Sequence, residues 1–143
     1  MIANIDGGAR GNPGAAGFGV FVQDAAGREV ASLYGYLGTQ TNNVAEYAGL
    51  LAALRFVRRR GARSVVIRSD SELLVRQIEG RYRVRNPVLQ RLHAAAVSLM
   101  REIGDVKVQH VRREQNADAD RLANMAMDAR ADQPEGISAG LLG

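Results

Sequence analysis

Hydrophobic residues change their spacing along the chain, and each spacing predicts a different kind of element. In the N-terminal third, short apolar and alternating stretches are separated by glycine-rich or Asp-Ala-Ala-Gly turns, which is the pattern of strands joined by hairpins. The predicted strands cover residues 1–6, 17–23 and 28–37. Three consecutive strands with short turns indicate an antiparallel meander.

The pattern then becomes helical. Residues 43–60 carry apolar side chains at helical spacing and end at Gly61. The continuous apolar run 65–67 predicts a buried strand. Further helices are predicted over 73–78, 87–103 and about 115–129, and a further strand over 106–111. The order β-β-β-α-β-α-α-β-α predicts one domain with a mixed sheet covered by helices, followed by a loose tail over 131–143.

Composition excludes several classes of protein. Apolar residues make up 46% of the chain, aromatic residues only 5%, and there is no cysteine, which rules out disulfides, thiolate metal sites and cysteine nucleophiles. His93 and His110 are the only histidines, too few for a zinc site. Neither a signal peptide nor a membrane span is recognisable in the pattern, so we expect a soluble, cytoplasmic protein. The net charge of +4 suits a polyanionic partner, although it is equally compatible with solubility alone.

A glycine-rich stretch follows Asp6 and could bind a phosphate, form a turn or contribute to a metal site. The spacing of Gly8, Gly11 and Gly14 is not that of a dinucleotide-binding loop, and Lys107, the only lysine, follows no glycine. A turn between two strands also lacks the helix N-terminus that phosphate loops use. The turn and the metal site remain.

Several carboxylates favour the metal site. Asp6 alone could start a turn, and Asp70 alone could serve a capping box with Ser69 and Glu72. Both, however, fall at the ends of predicted strands, where open α/β sheets collect their functional residues. Glu46 lies on the apolar stripe of its helix, where an ionised carboxylate is costly unless it is paired or bound to metal.

The last helix begins with two further acids. The helical period does not decide whether Asp118 or Asp120 points inward, and Asn116 could be the N-cap. Several carboxylates without cysteine or a suitable histidine are hard oxygen ligands, which favour Mg²⁺ or Mn²⁺. In a basic protein, such a cluster would serve phosphoryl chemistry.

Four short motifs together resemble type 1 ribonuclease H. They are D-G-G-A-R-G-N-P-G at 6–14, T-N-N-V-A-E at 41–46, S-D-S at 69–71 and N-A-D-A-D at 116–120. The resemblance covers residues 1 to about 128 in the family's order. It implies an α/β fold of the ribonuclease H type, whose five-stranded mixed sheet has three antiparallel and then two parallel strands, with helices on both faces. We therefore expect a catalytic domain over 1–129 and a flexible tail over 130–143.

The resemblance also implies a reaction, hydrolysis of the RNA strand of an RNA–DNA hybrid, giving 5′-phosphate and 3′-hydroxyl ends. Two Mg²⁺ ions, with Mn²⁺ as a possible substitute, would be bound by Asp6, Glu46, Asp70 and Asp120. The family motif thus selects Asp120 over Asp118. The hybrid would be the substrate, and we expect a monomer without a protein partner or a membrane.

The resemblance also implies which residues contact the hybrid, and the chain departs from the family at three places. By position, the residues that contact the hybrid would be Gly7, Gly8, Asn12, Thr41, Asn42, Asn43 and Ser71. Glu72 replaces an amide that is frequent in the family, so it is doubtful as a ligand. A short arginine-rich link at 79–86 stands in place of an inserted basic protrusion, and its arginines could bind phosphates. Arg113 is the best candidate to replace a catalytic loop histidine, with Glu114 next.

Three other functions compete with hybrid cleavage. A non-catalytic hybrid-binding module would be expected to lose a carboxylate, and all four are present. A transposase or junction resolvase of the same fold would carry additional DNA-binding segments. A relaxed nuclease that also cuts double-stranded RNA stays open.

Overall fold

A computed structural model describes residues 1–143 and contains five strands and four α-helices. The strands are β1 (Ile2–Arg10), β2 (Gly14–Gln23), β3 (Glu29–Gln40), β4 (Ser64–Ser69) and β5 (Asp105–His110). The helices are α1 (Asn42–Arg59), α2 (Glu72–Ile78), α3 (Pro87–Ile103) and α4 (Ala117–Ala129). A short 3-10 turn at Arg113–Gln115 precedes α4.

The strands form one mixed sheet in the order β3-β2-β1-β4-β5. Pairs β1–β2 and β2–β3 are antiparallel, whereas β1–β4 and β4–β5 are parallel. Helices cover both faces, because along β2 the side chain of Phe18 faces α1 whereas Gly17 and Gly19 face α4. This arrangement confirms the predicted fold class. None of the helices has the length and hydrophobicity that crossing a bilayer requires.

The first strand is longer than the sequence predicts. Gly7 and Gly8 were expected to end it, but β1 continues through both to Arg10, and they pair with Phe18 and Gly17 of β2. The reason for glycine at position 7 is close packing, because a Cβ there would overlap the main chain of α1 at Ala45. The turn itself is confined to residues 11–13.

Two further boundaries differ from the prediction. Strand β3 extends to Gln40, beyond the expected end near residue 37, because its last residues pair with the start of β2. Helix α4 begins at Ala117 and not at residue 115, because residues 113–115 form the 3-10 turn.

The C-terminal segment packs against the domain, which corrects the expectation of a loose tail over 130–143. Gln133 pairs with Tyr34 at the free edge of β3, and the Asp132 carboxylate accepts a hydrogen bond from the main-chain N–H of Tyr36 at 2.9 Å. Near the end of the segment, Leu141 is only 3% exposed and joins the hydrophobic core. Burial of this apolar side chain is the physical reason why the C-terminal segment packs against the domain.

Gly19 provides a test of how closely α4 packs on the sheet. A Cβ at this position would overlap the carbonyl oxygen of Ala119 and lie 2.6 Å from the amide nitrogen of Ala123. Because helix backbone cannot rotate away as a side chain can, Gly19→Ala should lower the free energy of unfolding by about 1–3 kcal/mol. Denaturant titration measures this difference. Gly8→Ala is the matched control, since its Cβ would meet nothing closer than 4.0 Å, and equal stability of the two variants would contradict the packing.

Candidate active site

Two of the predicted carboxylates are brought together by the parallel pairing of β1 with β4. The paired residues end with Ile5 beside Ser69. Asp6 and Asp70 directly follow these two residues, so both carboxylates lie where the pairing ends. Asp6 is therefore in the middle of β1 and at the end of its pairing with β4, rather than at the end of the strand as the sequence suggested.

Helices α1 and α4 bring the other two carboxylates to the same place. Glu46 lies in the N-terminal part of α1, and its main chain packs against Gly7. Asp120 lies in the first turn of α4 and hydrogen-bonds to Asp6. Asp118, in contrast, points to Arg121, with 3.6 Å between the charged atoms. The geometry thus separates the two acids that helical spacing could not distinguish.

The four carboxylates line one open cavity of about 420 Å³. Nine of the twelve residues proposed from the sequence line it, namely Asp6, Gly7, Gly8, Asn42, Glu46, Asp70, Ser71, Arg113 and Asp120. Asn12, Thr41 and Asn43 do not. Glu114 is also outside the cavity, and Glu72 is exposed and lies 3.9 Å from Arg76.

The three residues outside the cavity have identifiable positions at its rim. The Asn12 side-chain oxygen accepts a hydrogen bond from the Asn42 main-chain N–H at 3.1 Å, which ties the β1–β2 turn to α1. Thr41 is the N-cap of α1 and accepts from the N–H of Val44 at 3.2 Å. Asn43 is exposed and borders a narrow cleft beside Glu46.

Burial and nearby negative charge change the acidity of two carboxylates. Burial, followed by the charge of Asp70 and the hydrogen bond to Asp120, raises the pKa of Asp6 to about 8. Burial and the charge of Asp70 also raise the pKa of Glu46 to about 7, against the opposing effect of a hydrogen bond from Ser71. The cluster therefore retains protons that isolated carboxylates would lose well below neutral pH.

Asn116 connects the two elements that carry Asp6 and Asp120. Its side-chain amide donates to the Ile5 carbonyl at 2.8 Å, and its own carbonyl accepts the Asp120 N–H at 3.0 Å. Asn4 donates to the Asn116 side-chain oxygen at 3.2 Å, and both asparagines are buried. The sequence suggested Asn116 as an N-cap, but its side chain makes no capping hydrogen bond and instead joins α4 to β1.

Arg10 is a cavity residue that sequence reasoning did not single out. Its guanidinium lies 2.6 Å from the Asp128 carboxylate and 3.2 Å from the Asn124 side-chain oxygen, both on α4. The signal was present in the alternation of β1, because residues 6, 8 and 10 of an extended strand share one face. It was missed because the strand was predicted to end before Arg10.

A hard divalent cation fits the donor set. The acidic residues offer only oxygen ligands, and no cysteine or histidine lines the cavity. In the present side-chain conformations, no three acidic or histidine groups are close enough together to coordinate one metal ion. The fit therefore rests on donor chemistry and on the accumulated negative charge, not on a preformed coordination shell.

The raised pKa values predict how stability depends on pH in the presence of a chelator. Asp6 and Glu46 bind protons more tightly in the folded chain than in the unfolded chain, where such groups titrate near pH 4. Raising the pH from about 5 to about 8 should therefore lower the free energy of unfolding, by more than about 1.4 kcal/mol, which corresponds to one pKa unit. Denaturant titration at the two pH values measures it.

Two variants make this pH prediction specific to the cluster. Asp6→Asn removes one carboxylate and should reduce the difference between the two pH values, because fewer groups then release protons on unfolding. Asp118→Asn is the matched control on α4, since this acid lies outside the cavity, and it should keep the full difference. A pH dependence that both variants retain in full would contradict the assignment.

Comparison with known proteins places this geometry in a family. The family model described as reverse transcriptase-like matches residues 4–126. The ribonuclease HI of Halobacterium salinarum is 38% identical over 126 residues, covering 88% of this chain and 63% of that protein. The crystal structure of RNase H1 from this archaeon superposes with a TM-score of 0.87, covering 90% of this chain and 97% of that chain.

Two further relatives are similar to this chain over most of its length. LC11-RNase H1, solved in complex with an RNA/DNA hybrid, is 41% identical with a TM-score of 0.86 and covers 90% of this chain and 97% of its own. A bifunctional protein of Mycobacterium tuberculosis is 42% identical over 132 residues, which span 92% of this chain but only 36% of that protein. The chain thus spans about a third of the length of its mycobacterial relatives. By sequence and by fold, the chain belongs to the type 1 ribonuclease H family.

Proposed function

We propose that this chain hydrolyses the RNA strand of RNA–DNA hybrids. The observation that carries the proposal is the meeting of Asp6, Glu46, Asp70 and Asp120 in one open cavity. These residues come from β1, α1, the end of β4 and α4, so only the complete fold assembles them. The relatives support the substrate, since one of them was solved with an RNA/DNA hybrid.

The four carboxylates would hold two divalent cations, Mg²⁺ or in its place Mn²⁺. When bound, such ions supply an activated water and stabilise the leaving 3′ oxygen, which gives 5′-phosphate and 3′-hydroxyl ends. The raised pKa values of Asp6 and Glu46 support this assignment, because a cation would relieve the repulsion that causes part of each shift. All four ligands belong to one chain, so a monomer suffices; a cytoplasmic location remains a prediction from the sequence.

Asparagine amides at the rim are suited to selecting RNA. The Asn42 side-chain oxygen already accepts from the Ala9 N–H at 2.7 Å, and the Asn12 side-chain oxygen accepts from the Asn42 N–H. Each side chain therefore presents its NH₂ group as the free donor. These two amide donors would contact 2′-hydroxyl groups across the wide minor groove, and the lack of side chains at Gly7 and Gly8 would let the hybrid approach the strand beside them.

Ser71 and Thr41 fit positioning roles better than direct contact with the hybrid. The Ser71 hydroxyl accepts the Leu74 N–H at 3.2 Å, and its single proton is then available for the hydrogen bond to Glu46. Thr41 likewise commits its hydroxyl oxygen to capping α1. Both residues would hold the ends of helices that border the cavity.

Substitution of single carboxylates tests the proposed reaction. Asp70→Asn and Asp120→Asn keep the shape of each side chain but remove its charge, so each should reduce hybrid cleavage by on the order of 10²–10³-fold or more. Cleavage of an end-labelled hybrid with Mg²⁺ or Mn²⁺ measures this loss. Asp118→Asn is the matched control on α4 and should cleave like the wild type, because Asp118 lies outside the cavity.

Other substrates decide between the competing functions. Double-stranded DNA should not be cut, and cutting of double-stranded RNA would identify a relaxed nuclease. If the wild type binds the hybrid but cuts it with neither metal, the domain is a binding module and the proposed reaction is wrong. Equal rates for Asp118→Asn and Asp120→Asn would also contradict the assignment of Asp120.

Arg113 and Glu114 can be separated in the same assay. Arg113 lines the cavity with the carboxylates, whereas Glu114 does not, so we propose that Arg113 contributes positive charge near the reacting phosphate. Arg113→Ala should slow cleavage about 10-fold to 100-fold under saturating hybrid. Glu114→Ala should leave the rate unchanged, and the reverse order of effects would assign the role to Glu114.

A further inference from the structure

Arg10 is one of two cationic side chains that line the cavity, and the reaction proposed above gives it no role. The other is Arg113, on the 3-10 turn before α4. Arg10 ends β1, next to the turn that Asn12 ties to α1. Nearly half of its side-chain surface, 47%, is exposed. An arginine at this position is available to an anion that enters the cavity from solvent.

Two partners hold the guanidinium of Arg10 in place, but they do not use all of its hydrogen-bond donors. One nitrogen lies 2.6 Å from the Asp128 carboxylate, and another donates to the Asn124 side-chain oxygen at 3.2 Å. Asn124 in turn donates to the Asp120 carbonyl at 3.0 Å, which fixes its amide. A guanidinium carries five N–H donors, so three remain for a ligand. Because Asp128 and Asn124 already orient the Arg10 side chain, less conformational entropy is lost when it binds a ligand.

The path from the carboxylates to Arg10 runs along one face of β1. Asp6, Gly8 and Arg10 alternate on that face, and four residues of a strand span roughly 13 Å. Gly8 places no side chain between the two ends. A nucleic acid strand with its cleaved bond at the carboxylates could therefore continue over Gly8 to the guanidinium.

We propose that Arg10 binds a backbone phosphate of the hybrid a few nucleotides from the cleaved bond, an inference that rests on the function proposed above. Guanidinium groups pair with phosphate oxygens through two parallel N–H donors, which gives both charge and geometry. Asp128 and Asn124 are then positioning residues that aim the guanidinium. Its contacts with Asp128 and Asn124 hold the guanidinium beside α4, which favours a neighbouring phosphate over the reacting one.

A purely structural role would also use Arg10, as a link between β1 and α4. The two roles differ in what Asp128 does. If the ion pair only joins the two elements, removing either partner should have the same consequence. If Arg10 binds phosphate, removing Arg10 deletes a contact with the hybrid, whereas removing Asp128 leaves the cation present.

Salt dependence of hybrid binding distinguishes the two roles. The Asp70→Asn background, which should cut the hybrid far more slowly than the wild type, allows dissociation constants to be measured with Mg²⁺ at about 50 to 200 mM salt. Each phosphate contact contributes about −0.9 to the slope of log affinity against log salt, which is about 3.5-fold in affinity over this range. Arg10→Ala should lose that increment, whereas Arg10→Lys should keep it, because a lysine still neutralises a phosphate.

Two matched variants complete the experiment. Asp128→Ala should retain the slope of the parent protein, and so should Arg121→Ala, which removes an exposed arginine of α4 paired with Asp118. Loss of the increment in both Arg10→Ala and Asp128→Ala, or in neither, would overturn the inference. Circular dichroism on each variant checks that it is folded. Arg10→Gln, which removes the charge but can still donate to the Asn124 side-chain oxygen, replaces Arg10→Ala if that variant is not folded, and it should lose the same increment.

Failure of this inference can be told apart from failure of the proposed function. If the wild type cuts the hybrid but Arg10→Ala keeps the full slope, only the phosphate contact is wrong. If the wild type neither binds nor cuts the hybrid, the proposed function is wrong as well.

Discussion

Repulsion among four carboxylates is the constraint on which the rest of the site depends. Asp6, Glu46, Asp70 and Asp120 come from four separate parts of the fold, and their negative charges repel one another. Burial and the charge of Asp70 together raise the pKa values of Asp6 and Glu46, so the ionised cluster is unfavourable in the folded chain. The favourable energy must come from the sheet, the helix packing and the buried hydrogen bonds around the cluster.

Small residues and buried amides supply much of that scaffold. Gly7 allows the backbone of α1 to approach β1, and Gly19 does the same for α4 on the opposite face. Asn116 joins β1 to α4 directly beside Asp6 and Asp120. Such close approaches fix the carboxylates through main chain, which is stiffer than side chain. The first glycines of the motif thus serve helix packing, and phosphate binding is not needed to explain Gly7.

Several elements could be predicted closely because their ends carry local chemical signals. Helix α1 was predicted to within one residue at each end, and α3 was predicted with both of its boundaries, since Pro87 starts it and its apolar periodicity runs to Ile103. Other features depend on tertiary contacts that the local sequence does not encode. A glycine in the sequence is compatible both with a turn and with close packing of two backbones. Gly7 and Gly8 were interpreted as a turn, so β1 was predicted too short. Leu141 enters the core as an isolated apolar residue that has no period to reveal it.

The choice between Asp118 and Asp120 shows the same limit within the site. Both open α4, and the face of α4 that packs on the sheet decides which one meets Asp6. That face is set by contacts with β2, which is distant in sequence. The four family motifs could identify Asp120, but the physical reason for it lies in the packing of α4 on Gly17 and Gly19.

The proposed substrate is a polyanion, and it raises a second electrostatic problem, because the four carboxylates of the site repel it. Divalent cations solve it only at the reacting phosphate. Phosphates farther along the strand need positive charge that does not neutralise the metal ligands. In its proposed role Arg10 meets this requirement, since Asp128 and Asn124 hold its guanidinium beside α4. The net charge of +4 would then serve binding as well as solubility, because cations outside the cluster would attract the backbone while the carboxylates stayed free to bind metal.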